Sequence, residues 1–157
     1  MPTHIFVYGT LKEGFPNHWR NAGRRLAGTF RTRQPYPFYV VRLATEDRAP
    51  WLLDSPGQGH PVVGQVFEVD PHELVEMDAF EEVHLPTGYV RAEVELVATH
   101  DDTVRLLAHV YLKRPSELPD CLSIEGPFAE YTLALAQGYW LDTPADPPVP
   151  PSPQDTP

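Results

Sequence analysis

Thiols are almost absent: Cys121 is the one cysteine in 157 residues. A single cysteine builds no internal disulfide framework and no multi-thiolate metal site. Basic charge is scarce as well, with twelve Lys and Arg against twenty-two Asp and Glu and a net charge of −10. Phosphate backbones and anionic lipid surfaces are gripped by concentrated basic charge, so neither a nucleic acid nor a membrane is an expected partner. Long apolar runs are missing too. Ile5 to Tyr8 is far shorter than a signal h-region or a bilayer span, and a soluble cytoplasmic protein is expected. Three Trp, seven Tyr and seven Phe nevertheless supply enough large side chains for a real core.

Proline is abundant, at 19 residues. Seven of them fall between Thr143 and Pro157, where Val149 is the one apolar residue apart from Ala and Pro. Such a stretch buries too little to offset its ordering entropy, and a disordered or polyproline II tail is expected over residues 143–157. The folded domain is then residues 1–142. A Pro-rich recognition ligand is the other reading of the tail.

Strand patterns dominate that domain. His4 to Tyr8 is a short β-rich run closed by Gly9, and Leu26–Thr32 and Phe38–Leu43 are two more. Val62–Val69 alternates, as does Tyr89–Ala98, which returns through a turn at His100-Asp101-Asp102 into Thr103–Leu112. This is an antiparallel hairpin. Two helices are expected. The first is N-capped by Asp70, with Pro71 in its first position and Glu73 where a capping box wants an acid, and it runs to about Val83. The second spans Phe128–Gln137 and stops at Gly138. Many strands and few helices give an α+β fold: a small mixed, largely antiparallel sheet curled into a β-barrel.

On a wheel of the first helix with Leu74 at zero, Met77 falls at about 300° and Phe80 at about 240°. Glu81 falls at about 340°, inside this apolar stripe. A carboxylate facing a core is costly unless paired, and burial raises its pKa toward the range of a general acid–base. Two readings stand here: Glu81 is such a group, or it is a structural acid bonded to neighbouring backbone or to an arginine. The strand end Tyr8-Gly9-Thr10-Leu11 also has two. Backbone N–H groups released there can curve into an anion-binding nest, or the segment is an ordinary turn. Other features carry less. Gly57-Gln58-Gly59 lacks the third glycine and the following helix of a phosphate loop. His60, His72 and His84 have no ligand spacing, and Cys121 has no base near it in sequence. No metal or cofactor site is expected.

Phe6-Val7-Tyr8-Gly9-Thr10-Leu11-Lys12, followed by Gly14 and Pro16-Asn17-His18, resembles the opening signature of the γ-glutamylcyclotransferase-like family. The γ-glutamylamine cyclotransferase branch is the nearest. The match continues in order through Pro35-Tyr36-Pro37, Pro50-Trp51-Leu52-Leu53, Val63–Asp70, Met77-Asp78-Ala79-Phe80-Glu81, Tyr89-Val90-Arg91 and Glu125-Gly126-Pro127. The resemblance implies a small mixed barrel and a cofactor-independent cyclotransferase acting on a small-molecule γ-glutamyl substrate. It implies that Tyr8, Gly9, Thr10 and Leu11 bind the γ-glutamyl moiety through backbone groups and that Glu81 is the catalytic acid–base. Tyr8, Trp51, Leu52 and Tyr89 are candidate walls. The reaction implied is an intramolecular aminolysis that releases 5-oxoproline and an amine. The alternatives are action on γ-glutamyl-amino acids or on a γ-glutamyl-protected intermediate, and a non-catalytic ligand-binding module on the same fold.

Overall fold

The computed structural model describes residues 3–142. The Pro-rich segment expected to be a tail lies outside the described residues.

In chain order the strands are β1 (Thr3–Val7), β2 (Arg24–Arg25), β3 (Phe30–Thr32), β4 (Phe38–Arg42), β5 (Glu46–Asp47), β6 (Ala49–Leu52) and β7 (Val63–Val69). Helix α1 (Pro71–Phe80) separates β7 from β8 (Val90–Ala98) and β9 (Asp101–Leu112). After β10 (Ser123–Glu125) come the single-turn α2 (Leu133–Ala136) and β11 (Trp140–Leu141). Two 3-10 turns, His18–Arg20 and Pro115–Asp120, complete the elements among the described residues.

The main sheet closes on itself. β1 pairs antiparallel with β7 on one side and parallel with β9 on the other, while β9, β8, β3 and β7 continue the circuit. This is the small mixed barrel that the sequence led us to expect. β2 and β3 share one side of β7, and β10, β4 and β6 form a second, three-stranded sheet. That sheet is stitched to the end of β9 by Lys113 N–H, which donates to Leu52 O at 2.8 Å.

Period-two alternation decides which side chains fill which layer. Along β1, Phe6 points into the barrel beside Val66, Leu96 and Val110. Its neighbours Ile5 and Val7 point outward, against Phe67, Val69, Tyr111 and Met77 of α1. A strand covered on both faces needs apolar residues at every covered position, which is why the buried part of β1, Ile5–Val7, is apolar throughout while Thr3 and His4 are only partly buried.

Helix α1 begins as expected: Asp70 Oδ1 accepts from Glu73 N–H at 2.8 Å, and Pro71 takes the first position, where its missing donor costs nothing. Met77 is buried, and Leu74 and Phe80 pack partly buried beside it to complete the apolar stripe. The helix does not reach Val83. It ends at Phe80 in a Schellman motif, with Glu82 N–H bonding to Ala79 O and Val83 N–H to Asp78 O, both at 3.1 Å. Glu82 takes the left-handed conformation that the motif demands, φ +55°, without being a glycine. Glu81 is thus the residue that caps the helix rather than a member of its apolar stripe.

Three other boundaries differ from expectation. The segment 26–29 is no strand, because Gly28 turns at φ +82°. The hairpin reverses at residues 99–100, so Asp101 and Asp102 already belong to β9. The helix expected over Phe128–Gln137 shrinks to Leu133–Ala136. Residues ahead of it run past the starts of β4 and β7, where Phe128 N–H donates to Phe38 O and Ala129 O accepts from Val63 N–H, each at 2.8 Å. Tertiary backbone bonds outcompete a weak local preference there.

Candidate active site

Where β1 leaves the barrel, the chain turns at Gly9. A Cβ on this residue would collide with the Pro50 ring, so only glycine lets the loop lie flat against β6. Lys12 N–H donates to Gly9 O at 3.1 Å, and Asn17 N–H donates to Thr10 O at 2.9 Å. Among the described residues, the amides of Gly9, Thr10 and Leu11 donate to no protein acceptor.

Beside this loop lies an open cavity of about 870 Å³ whose wall includes Thr10, Glu46, Glu81, Tyr89, Lys113 and Tyr139. Of the four loop residues singled out in the sequence, Thr10 alone forms part of that wall. Tyr8 is core, packed edge-on to Phe38, and its hydroxyl donates to Tyr111 O at 2.6 Å. The Leu11 side chain is buried against the outer face of the barrel.

Glu81 is half-buried and lines the cavity. Its backbone is tied at both ends, N–H to Met77 O at 2.9 Å and C=O to Tyr89 N–H at 3.0 Å. Removal from water pushes its pKa up to about 8, helped by the carboxylates of Glu46 and Glu82 and opposed by the Lys113 ammonium. The helix that delivers it is anchored through Asp78, which accepts from Tyr111 Oη at 2.8 Å and pairs with Arg91 Nη1 at 2.9 Å. The Asp and the Glu of Met77-Asp78-Ala79-Phe80-Glu81 therefore do different work: one pins the helix, the other faces the cavity.

Glu46, Tyr139 and Lys113 are wall residues that the sequence did not reveal. A chain of hydrogen bonds crosses the cavity: Asn17 Nδ2 donates to Thr10 Oγ1 at 3.0 Å and to Tyr139 Oη at 2.8 Å, and Tyr139 Oη donates to Glu46 Oε2 at 2.9 Å. Burial raises the pKa of Glu46, partly offset by the Tyr139 bond. Lys113 is buried, its Nζ donating to Thr87 O at 2.6 Å and packing over the rings of Trp51 and Tyr89. Desolvation lowers its pKa, while nearby Glu117, Glu46 and Glu81 resist that shift. Trp51 and Tyr89 both line the cavity, as anticipated, and Leu52 is core.

Lys113 had a readable signal. On β9, Tyr111 faces α1, and two residues on, the next position with that orientation is a lysine following three apolar residues. Glu46 and Tyr139 had none, since they lie 93 positions apart and meet only through the pairing of β5 with β11.

The family model for "Gamma-glutamyl cyclotransferase, AIG2-like" matches residues 5–140. The chain belongs to this family. A gamma-glutamylaminecyclotransferase of Rattus norvegicus is 42% identical over 99 residues, covering 59% of this chain and 62% of that protein. Gamma-glutamylaminecyclotransferase B of Danio rerio is 36% identical over 126 residues, covering 76% of this chain and 63% of the relative. Both alignments span a little under two thirds of the relative's own length. Among solved structures, the crystal structure of an aig2-like protein from Mus musculus superposes with a TM-score of 0.73 at 28% identity, covering 93% of this chain and 99% of that one. None of the described helices is long and apolar enough to cross a membrane.

Proposed function

We propose that this chain is a γ-glutamylamine cyclotransferase that converts a γ-glutamyl amide into 5-oxoproline and a free amine, with Glu81 moving the protons. The observation that carries this reading is that Glu81, its pKa raised to about 8, lines the same cavity as Thr10 of the β1 exit loop.

The nucleophile of this reaction belongs to the substrate. Its α-amine attacks its own γ-carbonyl carbon, a ring C–N bond forms, and the amide C–N bond to the departing amine breaks. The α-ammonium gives up two protons on becoming the ring amide, and both leave with the departing amine. An acid–base that changes state near neutral pH, on the cavity wall, suits this traffic in both directions. Holding the chain folded for attack contributes up to roughly 7–11 kcal/mol in favourable cases. In this reading the free amides of Gly9, Thr10 and Leu11 take the substrate's α-carboxylate or the developing oxyanion. Tyr8, fixed by its bond to Tyr111 O and with its phenol pKa driven well up by burial and by Glu81, braces the loop rather than exchanging protons.

The test is Glu81→Gln, assayed for 5-oxoproline release from γ-glutamyl-ε-lysine. Turnover is expected to fall at least ~10²-fold with the fold intact. Turnover near that of the unmodified protein would remove Glu81 from the proton transfer.

A further inference from the structure

We propose that the outer face of the barrel, at the start of β7, carries a second binding site that takes a free α-amino acid with an apolar side chain. The ligand's carboxylate meets Lys12 and Gln65, its ammonium meets Glu130, and its side chain lies against Phe15, Val63 and Leu133. The site shares no wall residue with the cavity of Glu81, and it does not depend on the reaction assigned to that cavity.

These residues all line a cavity of about 290 Å³. Val66 of β7 fills the barrel, so its strand neighbour Gln65, and Val63 with it, stand on the outer face. Lys12 is 4% exposed, yet among the described residues it takes part in no ion pair. Its Nζ donates to Tyr131 O and lies 4.1 Å from the centre of the Phe15 ring, so two of the three ammonium hydrogens have no acceptor among the described residues. Gln65 is buried too, and its orientation is fixed. Glu13 N–H donates to Gln65 Oε1 at 2.7 Å, and a backbone amide can only donate, so the atom facing it is the oxygen. Gln65 Nε2 is left with no protein acceptor among the described residues.

A buried ammonium and a buried amide with donors to spare call for an anion. Removal from water lowers the Lys12 pKa to about 8; Glu130 resists that shift and Arg25 adds to it. A carboxylate at Nζ offsets the cost of keeping the ammonium charged. A bare anion, however, meets the exposed carboxylate of Glu130 in the same wall. A ligand that carries a positive charge beside its negative one turns that repulsion into attraction, and an α-amino acid has this pair on adjacent atoms. The remaining wall is apolar. Leu133 stands there 63% exposed, with Phe15 and Val63 partly buried, a surface suited to an aliphatic side chain. Lys12 is also the residue whose N–H closes the turn on Gly9 O, so the β1 exit loop joins the two cavities.

The probes are L-leucine, 4-methylpentanoate, which lacks only its amine, and 3-methylbutylamine, which lacks only its carboxylate. Amide NMR spectra of the full chain report where each one binds. L-leucine should shift the side-chain amide of Gln65 and the backbone amides of Gly64 and Leu133 in a saturable way, with a Kd on the order of 1 mM. Each analogue should bind at least about 10-fold more weakly, the loss of one charge-assisted contact. Lys12→Met should abolish the saturable shifts. Glu130→Gln changes an exposed side chain and should bring L-leucine and 4-methylpentanoate within about threefold of each other. The proposal is overturned by any of four results: no saturable shift with L-leucine, shifts at Thr10 and Tyr89 of the other cavity instead, equal affinity of the unmodified protein for L-leucine and 4-methylpentanoate, or undiminished binding in Lys12→Met. Should Lys12→Met fail to fold, Glu130→Gln decides alone: equalised affinities uphold the site, and an unchanged ratio rejects it.

Discussion

Tyr139 donates its hydroxyl to Glu46 Oε2 at 2.9 Å, joining the residue just ahead of β11 to a carboxylate that adds to the negative potential on Glu81. The bond keeps the Glu46 charge in a half-buried site where it would otherwise be costly, and that charge is one reason why Glu81 holds its proton so high. Glu46→Gln removes the like charge. The rising limb of the pH profile of kcat/KM is therefore expected to move to lower pH. An unmoved limb would show that Glu46 does not act on Glu81.

Glu81 should also leave a mark on stability. Its folded pKa of about 8 lies above the unfolded value of about 4.3. Between those values the unfolded chain has released a proton that the folded chain retains, so this residue makes stability fall as pH rises through the window. Glu81→Gln has no such slope. Thermal melts at pH 4.5 and pH 8 should show the variant gaining on the unmodified protein at the higher pH. Parallel melting temperatures would contradict the raised pKa.

Glu82 occupies the left-handed position after α1 with a side chain that disfavours it. Glu82→Gly removes that steric cost and should stabilise the protein by about 0.5–1 kcal/mol, a rise of roughly 2–4 °C in Tm. Loss of its charge should lower the pKa of Glu81 as well. Denaturant unfolding and a pH profile on the same variant check the two effects separately.

Gly9 is required for space. An added methyl meets the Pro50 ring, with Pro50 Cβ 2.8 Å away. Gly9→Ala is expected to cost about 1–3 kcal/mol and to shift the loop off β6, lowering turnover. Adding Pro50→Ala, which removes Cγ, should restore part of both. No recovery in the double variant would place the cost elsewhere.

The sequence exposed what local rules govern. The Asp70-Pro71 start of α1 follows from capping chemistry, and the apolar run of β1 follows from a strand covered on both sides. The β8–β9 hairpin was readable to within a few residues from its alternation. The wheel picked Glu81 for a partly mistaken reason: the helix ends one residue earlier, and the residue reaches the cavity as a cap. What stayed hidden needed contacts between distant positions. Nothing near Glu46 announces Tyr139. The helix expected from Phe128 failed because backbone partners on Phe38 and Val63 lie some 65–90 positions away in the chain.

The way the barrel closes sets an order of assembly. β1 emerges before both of its neighbours, β7 and β9, so it has no partner until residues 65–69 are made, and its second edge stays open until residue 109 has left the ribosome. Its exit loop shares that wait, and a nascent chain halted before β9 has a first strand with one edge open. Closure is a late, long-range event, and the pocket beside that loop is completed only when Trp140 and Leu141 dock on β5.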